Sequence, residues 1–244
     1  MPVRLWEYRN AKWNADNSMV CYQSDGIFQA MVCDREENLL LHVIEESDHL
    51  ESSIHALSVN ETGTAFTMDF ESGFYLVPKL FLGTVSPEFT GNMQSIAADE
   101  NLNIQFSGKE NQVHAFYPFY FIAKKNAQLH ANYVQILVHG KRCMLAYFRD
   151  GNCVLSNIYH ASNDSEVLYF AMAAVKLQGQ DIRKVHFELL GNQIQELFKV
   201  FQRFISDIRP LQMTLPYTTG EYPPYAAEAS LMHQFLLCEL QVAI

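Results

Sequence analysis

The sequence predicts an α/β fold in which one unit of structure is used twice. Three observations carry that prediction. Short β-branched and aromatic runs, each ended by a turn, alternate with segments of helical periodicity. The same order of elements occurs before and after residue 127. The landmarks of the two halves also keep a nearly constant spacing. Turns at 26 and 140 lie 114 residues apart, turns near 37 and 151 also 114, and helix caps at 47 and 163 lie 116 apart. Residues 1–126 and 127–244 are therefore read as two similar halves. Each has three antiparallel strands, a helix and a further strand parallel to the first.

In the second half, residues 133–138 form an apolar, β-branched strand that turns at His139-Gly140, and residues 142–148 return as a second strand. Asp150-Gly151 is a two-residue hairpin signal, because both turn positions need positive φ. Residues 153–159 follow as a third strand. Asn163 with Glu166 reads as a capping box for a helix ending near Leu177. Residues 185–190 make the fourth strand, closed by Gly191. Ile194, Leu197, Phe198, Phe201 and Ile205 then share one face of a second helix.

The first half follows the same order with less regularity. Residues 19–23 and 27–32 flank Asp25-Gly26, and residues 39–44 form the third strand. Ser47 caps a helix carrying Leu50, Ile54 and Leu57, and residues 64–70 make the fourth strand. Residues 74–77 read as a strand, followed by an irregular run to about Gly108. A strand over 112–117 and a short helix over 119–125 complete this half, which is the more degenerate of the two. In the second half, a loop after Ile208 holds four of the eight prolines along with Tyr217, Tyr222 and Tyr225. That loop reads as a surface connection or a partner-docking segment. Leu231, Phe235, Cys238 and Val242 recur at helical spacing, so the C-terminal segment is a helix covering one face of a sheet.

Composition sets the class of partner. Of 244 residues, 49% are hydrophobic and 18% charged, which supplies a core and excludes disorder. The 17 Lys and Arg against 27 Asp and Glu give a net charge of −10, which argues against nucleic acid and anionic membrane surfaces. No run approaches the roughly 18 apolar residues of a membrane span, and residues 1–18 have no signal-peptide core. The five cysteines are odd in number and lack metal-ligand spacing, so they read as reduced thiols. A cytoplasmic protein without membrane insertion is expected.

The doubled order of elements resembles the superfamily of actin, sugar kinases and heat-shock chaperones. There, two RNase H-like domains, each a mixed sheet flanked by helices, face each other across a nucleotide cleft. Residues 132–191, and Leu76-Val77-Pro78 ahead of Leu80-Phe81, are similar to an uncharacterised bacterial family grouped with actin-like ATPases. The resemblance implies the actin-like ATPase fold, and for its active members ATP and Mg²⁺. Its first phosphate loop would fall at Asp25 and Gly26, its second at Gly140 and Lys141, and its adenosine position at Gly191. The second loop here is Val138-His139-Gly140-Lys141, with one glycine and no carboxylate. The adenosine position keeps one glycine where paired glycines are usual. Phosphoryl transfer depends on positioning and charge stabilisation, so the expectation is a pseudoenzyme with no bound cofactor. It would bind an unknown cytoplasmic protein or itself. The alternative is a divergent ATP-binding or phosphotransfer enzyme using Asp25, Gly26, Gly140, Lys141 and Gly191.

Other chemistry has less support. A two-metal nuclease needs carboxylates on the first strand, first helix and fourth strand. The second half's first strand has none, Glu166 serves a helix cap, and Glu188 stands alone. His42, His49 and His55 among Glu45, Glu46, Asp48 and Glu51 read as a solvated acidic face rather than a metal site. No nucleophile elbow, P-loop or dinucleotide fingerprint is present.

Overall fold

The computed structural model describes residues 3–10, 17–24, 26–36, 38–46, 64–70, 74–78, 93–97, 102–107, 111–192, 194–211 and 225–242. In chain order these form β1 (Val3–Arg9), β2 (Ser18–Ser24), β3 (Ile27–Cys33), β4 (Leu39–Glu46), β5 (Thr64–Asp69), β6 (Phe74–Pro78), β7 (Met93–Ala97), β8 (Leu102–Ser107) and β9 (Gln112–His114). Helix α1 (Phe116–Ala127) leads to β10 (Asn132–His139), β11 (Arg142–Arg149), β12 (Asn152–His160) and α2 (Asp164–Leu177). The chain continues through β13 (His186–Gly191), α3 (Gln195–Gln202), β14 (Ile208–Pro210) and α4 (Ala226–Val242).

The first sheet has the order β1-β4-β3-β2-β5-β9 and the second the order β12-β11-β10-β13-β14. In each, three successive antiparallel strands are joined by the expected turns, and the next strand runs parallel to the first of them. β5 pairs parallel with β2, and β13 with β10. Asp150 and Gly151 both have positive φ, at 49° and 75°, as a two-residue turn that follows strand twist requires. The helix is capped at Asn163 as read: Asn163 Oδ1 accepts the Glu166 N–H at 3.1 Å, while Glu166 Oε2 reaches one residue beyond the cap to accept the Ser162 N–H at 2.7 Å. The helix expected from Ser47 lies outside the described residues.

Four regions differ from expectation. The run read as irregular up to Gly108 holds β7 and β8, which with β6 form a third, antiparallel sheet of order β6-β8-β7. In β8, Ile104 and Phe106 are buried and alternate with Asn103 and Gln105. The alternation covers too few residues to stand out. The strand expected over 112–117 ends at His114, whose Nδ1 accepts the Phe116 N–H at 3.0 Å. That bond satisfies a donor at the helix start, so the chain becomes helical there. β14 is short and parallel to β13, an edge position that tolerates Pro210. β1 lacks a strand pattern in the sequence because its register shifts between Arg4 and Trp6, which breaks the alternation and leaves Leu5 exposed.

The contacts group the chain into two compact units. One comprises Met1–Asp69, Lys109–Pro118 and Met213–Ile244, the other Phe70–Gly108 and Phe119–Gln212. In the first unit α4 packs on β2 and β3, and Phe235 meets Phe66 edge-on with ring centroids 5.0 Å apart. In the second unit, Val134 and Ile136 of β10 and Phe187 and Leu189 of β13 pack against Val167, Ala171, Leu197 and Phe201 of α2 and α3. Burying such side chains contributes about 1.5–3 kcal/mol each relative to exposure. The opposite face of β10 and β13 is left for other residues.

Candidate functional site

The residues expected to form a phosphate loop in the second unit lie at one end of its sheet. Pairing of β10 with β11 continues to Val138↔Cys143 and His139↔Arg142, so Gly140 and Lys141 are the two residues of a tight turn. Gly140 has φ +54° with open space where a side chain would stand, and Lys141 is exposed. The His139 ring lies against Phe70 at a centroid distance of 4.4 Å. Gly191 pairs with Val138 two residues before this turn, so Gly140, Lys141 and Gly191 share one end of the sheet. The glycine at 191 is needed for close approach, because a Cβ there would sit 2.6 Å from the Val138 carbonyl oxygen. In the first unit, Gly26 occupies the turn between Ser24 and Ile27 with φ 75°. Asp25 lies outside the described residues.

Among the described residues a network of polar groups lies elsewhere, on the α1-facing side of β10 and β13. Parallel pairing sets Tyr133 beside His186 and Gln135 beside Glu188. The Tyr133 hydroxyl lies 2.6 Å from Glu188 Oε2 and 2.7 Å from Gln135 Oε1. Its single proton serves one of these acceptors at a time. Asn126 Nδ2, on α1, donates to Glu188 Oε2 at 3.1 Å and to the tyrosine oxygen at 3.3 Å. Gln135 Nε2 donates to the Phe119 carbonyl at 3.3 Å. Burial, followed by the Glu188 carboxylate, pushes the Tyr133 hydroxyl far above its ordinary pKa of 10.

His186 continues this network. Its Nδ1 lies 2.8 Å from Asp207 Oδ1, and its Nε2 faces Glu188 Oε1 at 3.6 Å. His130 stacks on it with centroids 4.0 Å apart and planes 11° from parallel. Desolvation and then the neighbouring His186 hold the His130 pKa below 6.5. Glu188 therefore does not stand alone as the sequence suggested. It joins α1 to two strands. His186 is only 4% exposed, so this Asp–His–Glu arrangement orients a buried ring rather than offering a base to substrate. A shallow cavity of about 340 Å³ adjoins it, lined by residues 127–131 with Asp150 and Gly151. The sequence signal for the network was the polar pair Tyr133 and Gln135 at strand spacing inside an apolar run.

The first unit buries a smaller polar group. Gln29 and His42 meet through their Nε2 atoms at 2.7 Å, which requires His42 Nε2 to accept from the amide. Burial, helped by His233, pushes His42 down to about 3, so its imidazole is neutral. Glu45 accepts from Arg4 Nε and Nη2 on Oε1 at 3.0 and 2.5 Å, and its buried Oε2 has no hydrogen-bond partner among the described residues. His42 is thus a sheet histidine and Glu45 a buried ion-pair partner, and neither belongs to a solvated acidic face. His49, Asp48, Glu51 and His55 lie outside the described residues. Among the described residues no group of three or more His, Cys, Asp or Glu is placed to hold a metal ion. The cysteines are all free thiols, and burial raises Cys21 and Cys143 to about 12.

No family model and no curated protein matches the sequence. Solved structures do match the fold. A Bacteroides thetaiotaomicron protein with an actin-like ATPase fold and unknown function superposes with a TM-score of 0.67 at 12% identity, over 81% of this chain and 91% of that one. A chain of the PilM–PilN type IV pilus biogenesis complex gives 0.54 at 8% identity, over 92% and 98%. At these identities the likeness concerns architecture alone. Two mixed sheets, each with three antiparallel strands and a parallel fourth, together with these superpositions give the conclusion: the chain has the actin-like ATPase fold.

Proposed function

We propose that this chain is a catalytically inert actin-like-fold protein that works as a binding or scaffold module in the cytoplasm. Its partner is another protein or a second copy of itself. The observation that carries this reading is the Gly140-Lys141 turn. Strand pairing runs up to His139↔Arg142, so the position expected to cradle phosphate and metal is a closed two-residue hairpin without a carboxylate. The nearest polar ring, His139, packs on Phe70. Gly191 has a purely structural reason to be glycine. A neighbour in fold that is itself part of a protein complex supports a binding role.

A second reading, a divergent ATP-binding or phosphotransfer enzyme, draws on one feature of the same turn. Gly140 faces open space and Lys141 is exposed, so a phosphate would find a backbone N–H and an ammonium there. Asp25 and Gly26 would hold Mg²⁺, and Gly191 would line adenine. Calorimetric titration with ATP and Mg²⁺ separates the two. No binding heat from the folded protein is the expected result. Binding tighter than about 100 μM, or about −5.5 kcal/mol, together with hydrolysis that Asp25→Ala abolishes, would overturn inertness.

A further inference from the structure

The two repeats differ at one sheet edge. In the first sheet β4, the third strand of its repeat, is flanked by β1, which pairs antiparallel with it from Val3↔Glu46 to Arg9↔Leu41. Its counterpart β12 is the outermost strand of the second sheet, and among the described residues no strand pairs with its outer side. β12 pairs with β11 through Tyr147↔Leu155, Leu145↔Asn157 and Cys143↔Tyr159, and the Ala161 N–H just beyond donates to the Lys141 carbonyl at 2.8 Å. Backbone groups in an antiparallel strand alternate in direction. Ser156, Ile158 and His160 therefore turn their N–H and C=O outward. The Ile158 N–H is met there by the side chain of its own neighbour, Asn157 Oδ1, at 2.9 Å.

Natural edges are blunted by charge, proline, shortness or a covering strand. β14 is three residues long and ends at Pro210, and β1 carries Arg4, Glu7 and Arg9. β12 is nine residues long and holds no Lys, Arg, Asp, Glu or Pro. Beside it, Phe170 of α2 stacks on Tyr159 at 4.4 Å, and the neighbouring Tyr169 is 66% exposed.

We propose that β12 is a self-association surface. It pairs antiparallel with β12 of a second copy about a two-fold axis at Asn157, joining the two second sheets. The proposal rests on the self-association arm of the function above and is independent of whether nucleotide binds. The first repeat shows that an antiparallel strand is what covers this position. A second copy is the occupant because the strand is self-compatible: it carries no Lys, Arg, Asp or Glu, so two chains of net charge −10 can pair along it without like charges standing opposite one another. The interface of a symmetric dimer must also be self-complementary. With the axis at Asn157, Ser156 faces Ile158 of the second copy and Ile158 faces its Ser156, each pair exchanging both N–H···O bonds. Asn157 then stands opposite its own symmetry mate with Cα atoms about 4.5 Å apart, and it releases the Ile158 N–H. Such an edge pair buries less than the roughly 1,200 Å² of stable interfaces, so the dimer is weak and concentration-dependent.

Sedimentation velocity of the full chain over a concentration series tests this. The wild type is expected to move from monomer toward dimer as concentration rises. Asn157→Asp sets two carboxylates opposite one another and should weaken association about five- to tenfold. Gln202→Glu, the same charge change on exposed α3, should leave association unaltered. Under mild oxidant Asn157→Cys should give a covalent dimer, since its Cα spacing falls within the roughly 4.4–6.8 Å of disulfides. Wild type and Gln202→Cys should not. A chain that stays monomeric throughout overturns the proposal. So does a dimer that Asn157→Asp leaves intact and Asn157→Cys fails to trap. So does a monomer whose β12 edge instead takes up an extended peptide of another protein.

Discussion

Gly191 packs directly on the backbone of Val138, close enough that a Cβ added to it would stand 2.6 Å from the Val138 carbonyl oxygen and 3.0 Å from Ile194 Cγ2. The contact closes the end of the second sheet, where the parallel pair β10–β13 finishes. The Val138 carbonyl is backbone and cannot yield without shifting a strand, whereas the Ile194 methyl belongs to a side chain.

Gly191→Ala is therefore expected to destabilise the fold by about 2–3 kcal/mol. Gly140→Ala, at φ +54° in the left-handed region with open space around it, should cost only about 1–2 kcal/mol, the backbone penalty alone. Urea unfolding midpoints check the order. Equal effects would mean that the Val138 contact relaxes freely.

Tyr133→Phe removes the hydroxyl that Glu188, Gln135 and Asn126 share. The loss leaves buried acceptors unmet and should cost about 2 kcal/mol. The double variant with Glu188→Gln should lose less than the sum of the singles, because the two groups are coupled. In an alkaline titration followed by tyrosinate absorbance, Tyr133 should stay silent until the protein unfolds, as its raised pKa requires.

Acid sensitivity follows from His42. Its folded pKa is depressed from 6.5 to about 3, so below 6.5 the unfolded chain binds a proton that the folded chain refuses. The stability contributed by the neutral ring is complete above pH 6.5 and is lost as pH falls towards 3, by about 1.4 kcal/mol per unit. Unfolding free energies at successive pH values should show this slope in the wild type. His42→Gln should flatten it by about one proton, and an unchanged slope would refute the assignment.

Arg4 supplies the hydrogen bonds to a Glu45 side chain that is only 3% exposed. Arg4→Ala should destabilise by about 2 kcal/mol, below the full cost of breaking a buried pair because Arg4 itself is partly exposed. Adding Glu45→Gln should recover part of the loss. Thermal melts of the wild type and the two variants make the comparison.

The fold was legible because its signals are local. The turns at Gly26, Gly140 and Asp150-Gly151 and the cap at Asn163 each specify a few consecutive residues, and their repetition gave the topology. The network around Glu188 was not legible. Tyr133 and Glu188 are 55 positions apart and meet only because β10 and β13 pair in parallel with one particular register. β1 escaped for a different reason: a bulge at its second turn of the pleat exposes Leu5 and buries Tyr8, so its apolar residues no longer alternate. Gly26 and Gly140-Lys141, the positions expected of phosphate loops, lie at strand turns, yet their residue types alone could not say that the Gly140 turn is a closed two-residue hairpin.

The strand β1 also has a consequence for how the protein responds to its own abundance. The short link from Arg9 to Ser18 tethers β1 beside β4, at an effective concentration of about the millimolar order for a short tether. The edge it covers is filled at any dilution. Among the described residues β12 has no tethered strand, so under the pairing proposed above its occupancy would rise with protein concentration. One repeat would then be covered at every dilution, and the other would report abundance.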